Sequence, residues 1–365
     1  SGAQYLHDSY ADTSFTREKL FDCLVKESYY IADQNMVTQY VEEAPAAIAQ
    51  YLAWAEHTRG IEFLRAKPCG WMSSGLHFAK VLAQGLKEHP EISVLEDVQL
   101  LDVLVQDNAV CGAIGLDVYT GAFIEFRAKA VILATGGCSY PLTGSDGSGY
   151  ELARQAGHTI VEPEGSLVPL EENGSWCKQM QGLSLRNVGV KLVNQKNKVV
   201  FEDFGELLFT HFGLSGPTIL SASAHMSGED SYEVRLDLKP ALDEQKLDSR
   251  ILRDFAQYQN RNFENALQDL FHKTMIPVMV RRTGIDPEQK VNTVTKAQRR
   301  TLLELTKRFP ISIAAKRPVE EAIITSGGVK VQQVDPKTMA SKLAPGLYFA
   351  GEILDVDAYT GGFNL

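Results

Sequence analysis

Short apolar runs separated by turn residues dominate the first third of the chain's β-like sequence. Glu91-Ile92-Ser93-Val94-Leu95-Glu96-Asp97-Val98 predicts a strand, and Leu101–Val105, Val110–Val118 and Ala122–Phe126, with a turn at Thr120-Gly121, predict a small antiparallel meander after it. The unbroken run Ala130-Val131-Ile132-Leu133 reads as a strand buried on both faces. Before the meander, residues 14–57 read as helical: Leu20, Cys23, Leu24, Tyr30, Ile31, Met36, Val37, Tyr40 and Val41 recur near helical spacing. Ala44-Pro45 is expected to break that run before a second helix to Trp54. Another helix is predicted over 75–88, and one more from Gly149 to the stop at Gly157. Strand patterns return in 183–239, as in Val188–Val193 and Tyr232–Leu238. Residues 247–308 are polar and helical, with Leu252, Phe255, Phe263, Leu267 and Leu270 marking buried faces. Pro310–Val334 returns to strands, and Gly346–Ala350 is the last buried one.

The chemistry begins where the buried strand ends, at Ala134-Thr135-Gly136-Gly137. Glycine has no Cβ, so a strand closing in Thr-Gly-Gly lets backbone approach a bound dinucleotide, which points to a flavin. Any buried strand can also end in glycines, so the surrounding motifs decide between the two readings.

Composition narrows the classes. A 365-residue chain with 44% hydrophobic residues can bury a large core and has length for two or three lobes. A net charge of -10 with a pI near 5.4 argues against nucleic acid and against an anionic membrane surface. No run reaches the roughly 18 apolar residues of a membrane span, and no signal peptide is visible, so a cytoplasmic protein is expected. The five cysteines, Cys23, Cys69, Cys111, Cys138 and Cys177, lack CxxC spacing, which indicates reduced buried thiols rather than disulfides or zinc. Oligomeric state is not encoded in any of these features.

The order of strand, meander and ATGG resembles the end of the FAD domain in flavoproteins of the glutathione-reductase-2 type, which include fumarate reductase and succinate dehydrogenase flavoproteins. From Ala134 onward, ATGGCSYPLTGSDGSGYELARQAGH, GELLFTHFGLSGP at 205–217, ITSGGV at 324–329 and GLYFAGEILDVDAYTGGFNL at 346–365 are similar in order and spacing to the BaiN-like flavoproteins, NAD(P)/FAD-dependent oxidoreductases. The N-terminal part, with Asp12-Thr13 before the helical run, resembles the fumarate reductase side. The resemblance implies an α/β fold: an FAD-binding, Rossmann-like domain over 1–165 and 326–365, interrupted by a β-rich substrate lobe over 166–325 that carries a helical subdomain at about 245–309. It implies FAD-dependent hydride transfer to or from an organic substrate such as an activated C=C bond, with NAD(P)H as a candidate donor. Such proteins open with a G-x-G-x-x-G turn that holds the pyrophosphate. No such motif stands in these residues; Gly144-Ser145-Asp146-Gly147-Ser148-Gly149 has the wrong spacing. The competing expectation is therefore a truncated or rebuilt scaffold that does not retain FAD.

The resemblance also assigns roles. Glu352, after Gly351, would accept a hydrogen bond from a ribitol hydroxyl; Thr360-Gly361-Gly362-Phe363-Asn364 would bring Gly361, Gly362 and Asn364 to the isoalloxazine. Val98, Ala134, Thr135, Gly136, Gly137 and Ser148 complete the flavin contacts; Ser148 stands where relatives carry an aspartate. Thr210-His211 precedes Ser215 and Pro217, a good helix start, so amide donors and an imidazole would share one turn. That turn either holds a substrate oxygen and delivers a proton, or caps the strand and packs the lobe. His57, His77, His158 and His272 have no partner at metal-ligand spacing and read as structural, and a dicarboxylate-binding set of the fumarate reductase kind is not recognisable.

Overall fold

A computed structural model of the chain describes residues 2–4, 16–27, 34–60, 64–66, 70–72, 75–226 and 231–357. Two compact units emerge, one of residues 1–99 with 116–124 and one of residues 100–115 with 125–365.

The first unit holds β1 (Gly2–Gln4), α1 (Arg17–Glu27), α2 (Gln34–Glu56), β2 (Leu64–Ala66), β3 (Gly70–Met72) and α3 (Gly75–Glu88), with the strands in the order β1-β3-β2. Leu20 and Val41 form its buried centre between α1 and α2. The expected break at Pro45 is not there: α2 runs through it for 23 residues. An internal proline forfeits one ladder hydrogen bond. Here α2 is held on both sides of it, by the Leu20–Val41 contact before and by Tyr51 stacked on Phe78 of α3 at 5.1 Å after. The strand expected over Glu91–Val98 also fails. Residues 92–96 join no strand ladder among the described residues, Ile92 N donates instead to His89 O at 3.0 Å, and Ile92, Val94 and Leu95 are exposed. Alternation alone makes no strand without a neighbour to complete its hydrogen bonds.

The meander comes next as β4 (Val98–Gln106), β5 (Ala109–Asp117) and β6 (Phe123–Arg127), ordered β4-β5-β6, with its central portions in the second unit. That unit continues with β7 (Val131–Leu133), α4 (Ser148–Gln155) and β8 (Ile160–Ser166). A closed antiparallel barrel succeeds them, from β9 (Leu170–Glu172), β10 (Ser184–Asn194), β11 (Val199–Phe209), β12 (Gly213–Ser215), β13 (Tyr232–Asp237) and β14 (Phe309–Lys316); α5 (Trp176–Gln179) precedes β10, and α6 (Pro217–Ser223) comes after β12. Every second residue of β13, Tyr232, Val234 and Leu236, is buried, as are Val188, Val190 and Leu192 of β10. The helical insert, α7 (Glu244–Gln257), α8 (Phe263–Ala266), α9 (Ile276–Thr283) and α10 (Lys296–Lys307), lies between β13 and β14 and shares the barrel's core through Leu247, Ile251, Met279 and Leu302. Asp243 caps α7 by accepting from Lys246 N at 2.7 Å, and Thr295 with Gln298 forms a capping box on α10.

The chain leaves the barrel into β15 (Ile324–Val329), which pairs antiparallel with β8, and ends in β16 (Leu347–Phe349), which pairs parallel with β7. The stem β8/β15 thus brackets the whole barrel: Ile324 faces Ser166 across the point where the chain enters and leaves. An α/β organisation interrupted by a β-rich lobe with a helical insert is what the sequence implied. The capping role expected of Ser215 is corrected, since Ser215 ends β12 and Gly216, with φ 98°, takes the cap position before Pro217. Glycine alone adopts that backbone without strain, which leaves the serine in the ladder.

Phe209 is fully buried where β11 closes the barrel. Phe209→Ala should cost about 3–5 kcal/mol, read as a lowered midpoint in urea denaturation monitored by tryptophan fluorescence.

Candidate functional site

Strands β7 and β16 run parallel in register, Leu347 opposite Val131, Tyr348 opposite Ile132 and Phe349 opposite Leu133. Their carboxyl ends therefore release Ala134-Thr135-Gly136-Gly137 and Ala350-Gly351-Glu352 side by side, and Ala350 N still donates to Leu133 O at 3.0 Å. Carboxyl ends of parallel strands are where ligands sit in open α/β sheets.

Glu352 is the hub of this strand edge. Its Oε1 accepts from Ser139 Oγ at 2.7 Å and from Thr325 N at 2.8 Å. The Thr325 hydroxyl oxygen in turn accepts from the amides of Cys138 at 2.8 Å and Ser139 at 3.0 Å. A Cβ on Gly137 would strike Thr325 Oγ1 and come within 2.9 Å of Glu352 Oε1, so this turn admits glycine alone. A Cβ on Gly149, at the start of α4, would likewise overlap Thr135 Oγ1. Two polar atoms remain open. Glu352 Oε2 takes no hydrogen bond among the described residues, and Thr135 Oγ1 is buried without a partner. Gly351 has no atom within 4 Å of a hypothetical Cβ. A free carboxylate oxygen, an orphaned hydroxyl and an open glycine face, all at one strand edge, suit the ribitol and nearby parts of FAD.

Asp146 adds a second carboxylate two residues before Ser148. The Ser148 hydroxyl and then its amide, at 3.0 Å from Oδ1, hold the Asp146 carboxyl below the usual range. The Cys138 thiol is pushed up by burial and then by Asp146, Glu320, Glu352 and Glu162, which keeps it protonated and poorly nucleophilic. Burial, then the charges of Cys138, Glu352 and Asp355, also raises the Tyr150 phenol, whose hydroxyl is buried without a partner.

Thr210 and His211 occupy the turn between β11 and β12. The Thr210 hydroxyl donates to Gly213 O and accepts from Gly213 N, both at 3.0 Å, so it closes the turn. His211 is exposed, edge-on to Phe212 at 5.0 Å. Ser148 opens α4, and Val98 opens β4 in the first unit. Gly361, Gly362 and Asn364 lie outside the described residues. Sequence reasoning missed Thr325, Ser139 and Asp146 as participants, although each lies within a motif it had singled out. No cluster of metal-ligating side chains occurs among the described residues. No helix among them is long and apolar enough to cross a membrane.

Residues 164–324 match the family described as HI0933-like protein barrel and H2TH domain. The chain is 31% identical over 246 residues to the 3-dehydro-bile acid delta(4,6)-reductase of Clostridium scindens, covering 66% of this chain and 59% of that protein. It is 28% identical over 242 residues to a ribosomal RNA dihydrouridine synthase of Haemophilus influenzae, covering 66% and 57%. The chain thus spans less than two thirds of the length of these curated relatives. A solved quinol-fumarate reductase with menaquinol molecules aligns with 99% of this chain and 59% of its own, at 19% identity and a TM-score of 0.46. The match over 164–324 and these relatives agree with the BaiN-like resemblance read from the motifs.

Thr325 is fully buried and receives two amides, so Thr325→Val should leave both without an acceptor and cost about 1–3 kcal/mol. Thr325→Ser, which keeps the oxygen, should recover most of that loss, both changes being read as shifts of the midpoint in thermal denaturation.

Proposed function

We propose that this chain, whose residues 164–324 match the HI0933-like family, acts as an FAD-dependent oxidoreductase that adds hydride to an activated carbon–carbon double bond of an organic substrate. The observation that carries the reading is the in-register β7/β16 pair, which sets an unpaired carboxylate oxygen of Glu352 beside the Thr135-Gly136-Gly137 turn. The relatives' names support it too. A delta(4,6)-reduction and the formation of a dihydrouridine are both saturations of a C=C bond. They favour a working flavin site over a scaffold that does not retain FAD. When bound, the flavin supplies hydride chemistry, with NAD(P)H as the proposed donor. In this reading Glu352 Oε2 accepts from a ribitol hydroxyl, Ser139 and Thr325 fix the carboxylate's orientation, and the glycine turn admits the cofactor against backbone. His211, exposed at its turn, is a candidate proton donor or a packing residue.

Ribosomal RNA as the substrate is a second reading, favoured by the charge of the insert. Residues 241–308 carry 13 Lys and Arg against 9 Asp and Glu, while the rest of the chain carries 23 against 37. A cavity of about 350 Å³ in that insert is lined by Arg261, Asn262, Asn265, Gln268 and Lys290, with no carboxylate. Cations interleaved with amides suit a phosphodiester backbone. The whole-chain charge that argued against nucleic acid averages over this local excess.

The purified chain should bind added FAD with the visible absorbance of a flavoprotein, and Glu352→Ala should weaken that binding about 10–100-fold, as for a lost charge-assisted hydrogen bond. A chain that binds no FAD sinks the reading. For the second, filter binding of a ribosomal RNA fragment should weaken steeply with salt, and Arg261→Glu with Lys290→Glu should flatten that slope; equal binding by the double variant removes RNA from consideration.

A further inference from the structure

Lys307 and Lys316 of the second unit both have largely buried side chains, and the fold treats them differently. Lys307, at the end of α10, has a side chain 13% exposed and spends its ammonium fully: it donates to Leu242 O at 2.8 Å and Lys239 O at 3.2 Å, and it pairs with Asp237 at 2.5 Å. Lys316, the last residue of β14, is 20% exposed and has one hydrogen bond, to Gly165 O at 3.3 Å. Its nearest carboxylate oxygen, on the largely exposed Glu164, is 3.9 Å away. An ammonium has three donors, so Lys316 keeps two without an acceptor among the described residues. Withdrawing a cation from water without filling its donors is costly. Burial lowers the tendency of this amine to hold its proton, and Glu164 and Asp357 oppose that effect. A lysine whose task was to staple β14 to β8 would be used as Lys307 is.

Its place matters as much as its open donors. Gly165, whose carbonyl it touches, is the ladder partner of Thr325, and the Thr325 amide is the donor to Glu352 Oε1. The strand that the ammonium touches is thus the ladder neighbour of the strand that holds the proposed ribitol carboxylate. Beside it, the buried Ser166 hydroxyl is committed to Asp357, at 2.9 Å and 3.0 Å from the two oxygens, so the serine does not compete for a ligand's acceptor.

We propose that Lys316 is the substrate-oxygen site: its two free donors receive the carbonyl oxygen of a substrate in which that carbonyl is conjugated to the reducible C=C bond. The inference rests on the oxidoreductase reading above and deepens it. Hydride addition at the β-carbon drives the π electrons onto the carbonyl oxygen, giving an enolate. A proton from water at the α-carbon then completes the saturated carbonyl. Lys316 donates to that oxygen in the ground state and more strongly as it becomes an enolate, which is where a fixed cation lowers the barrier.

The test uses the full chain and androst-4-ene-3,17-dione as a conjugated-enone probe, with binding read by equilibrium dialysis. Lys316→Met should raise the dissociation constant for the enone about tenfold or more, and Lys316→Arg, which keeps charged donors, should stay within about threefold of wild type. FAD affinity, measured by absorbance in the same preparations, should be unchanged in both variants, and Lys316→Met should melt no lower than wild type. Equal enone affinity in Lys316→Met, or no saturable binding by wild type, overturns the proposal. So does a parallel loss of FAD or of thermal stability, because the lysine would then serve the cofactor or the fold. A wild-type chain that binds the enone but no FAD overturns the oxidoreductase reading and leaves the lysine's contact standing.

Discussion

The pairing of the Glu352 carboxylate with the Thr325 amide holds the second unit to one arrangement. Thr325 belongs to the stem through which the chain enters and leaves the barrel, Glu352 to the segment after β16, and the amides on the Thr325 hydroxyl to the segment after β7. Four donors converge on two oxygen atoms, and they come from parts of the chain separated by 27 to 213 residues. Each bond contributes modestly while all are made, but a buried donor left unmade costs more than a formed one gains. The barrel lobe is thereby fixed to the β7/β16 edge by polar geometry as well as by apolar packing.

That asymmetry explains which parts of the fold could be read from residues alone. Barrel strands such as Tyr232–Asp237 alternate because one face meets a core and the other meets solvent, so their pattern is local and legible. The same is true of α7 and α10, whose apolar positions repeat at helical spacing and whose caps are adjacent in sequence. Glu91–Asp97 had a comparable pattern and no neighbouring strand; the difference lies in a partner that the segment itself cannot encode. Pro45 was judged by its own missing donor, whereas the packing on either side of it decided the helix.

The site was legible to a similar depth. The two strand ends carrying Thr135 and Glu352 announced themselves through apolar runs closed by glycine, and their parallel register comes from the fold. Their connection through Ser139 and Thr325 was invisible because no short-range spacing relates positions so far apart. Nor did the average charge of the chain disclose the basic insert, since 37 acidic side chains elsewhere outweigh it. Lys316 gave no signal at all: one lysine closing a strand looks like any surface lysine until its missing acceptors are seen.

The insert has one further property. Leu236 of β13 lies directly opposite Phe309 of β14, so the ladder closes before the helices begin, and residues 238–308 are in topological terms the loop of a β-hairpin. Barrel register is therefore independent of what that loop contains. Lengthening a loop already this long adds little closure entropy, so lineages can exchange or enlarge the helices while the barrel and the strand edge beside Glu352 stay as they are. The restriction is surface rather than connectivity: any replacement must still cover Leu238 and the core now shared with Leu302. The barrel is in this sense a socket, and the helical cassette it carries is the part of the molecule freest to change what the protein meets.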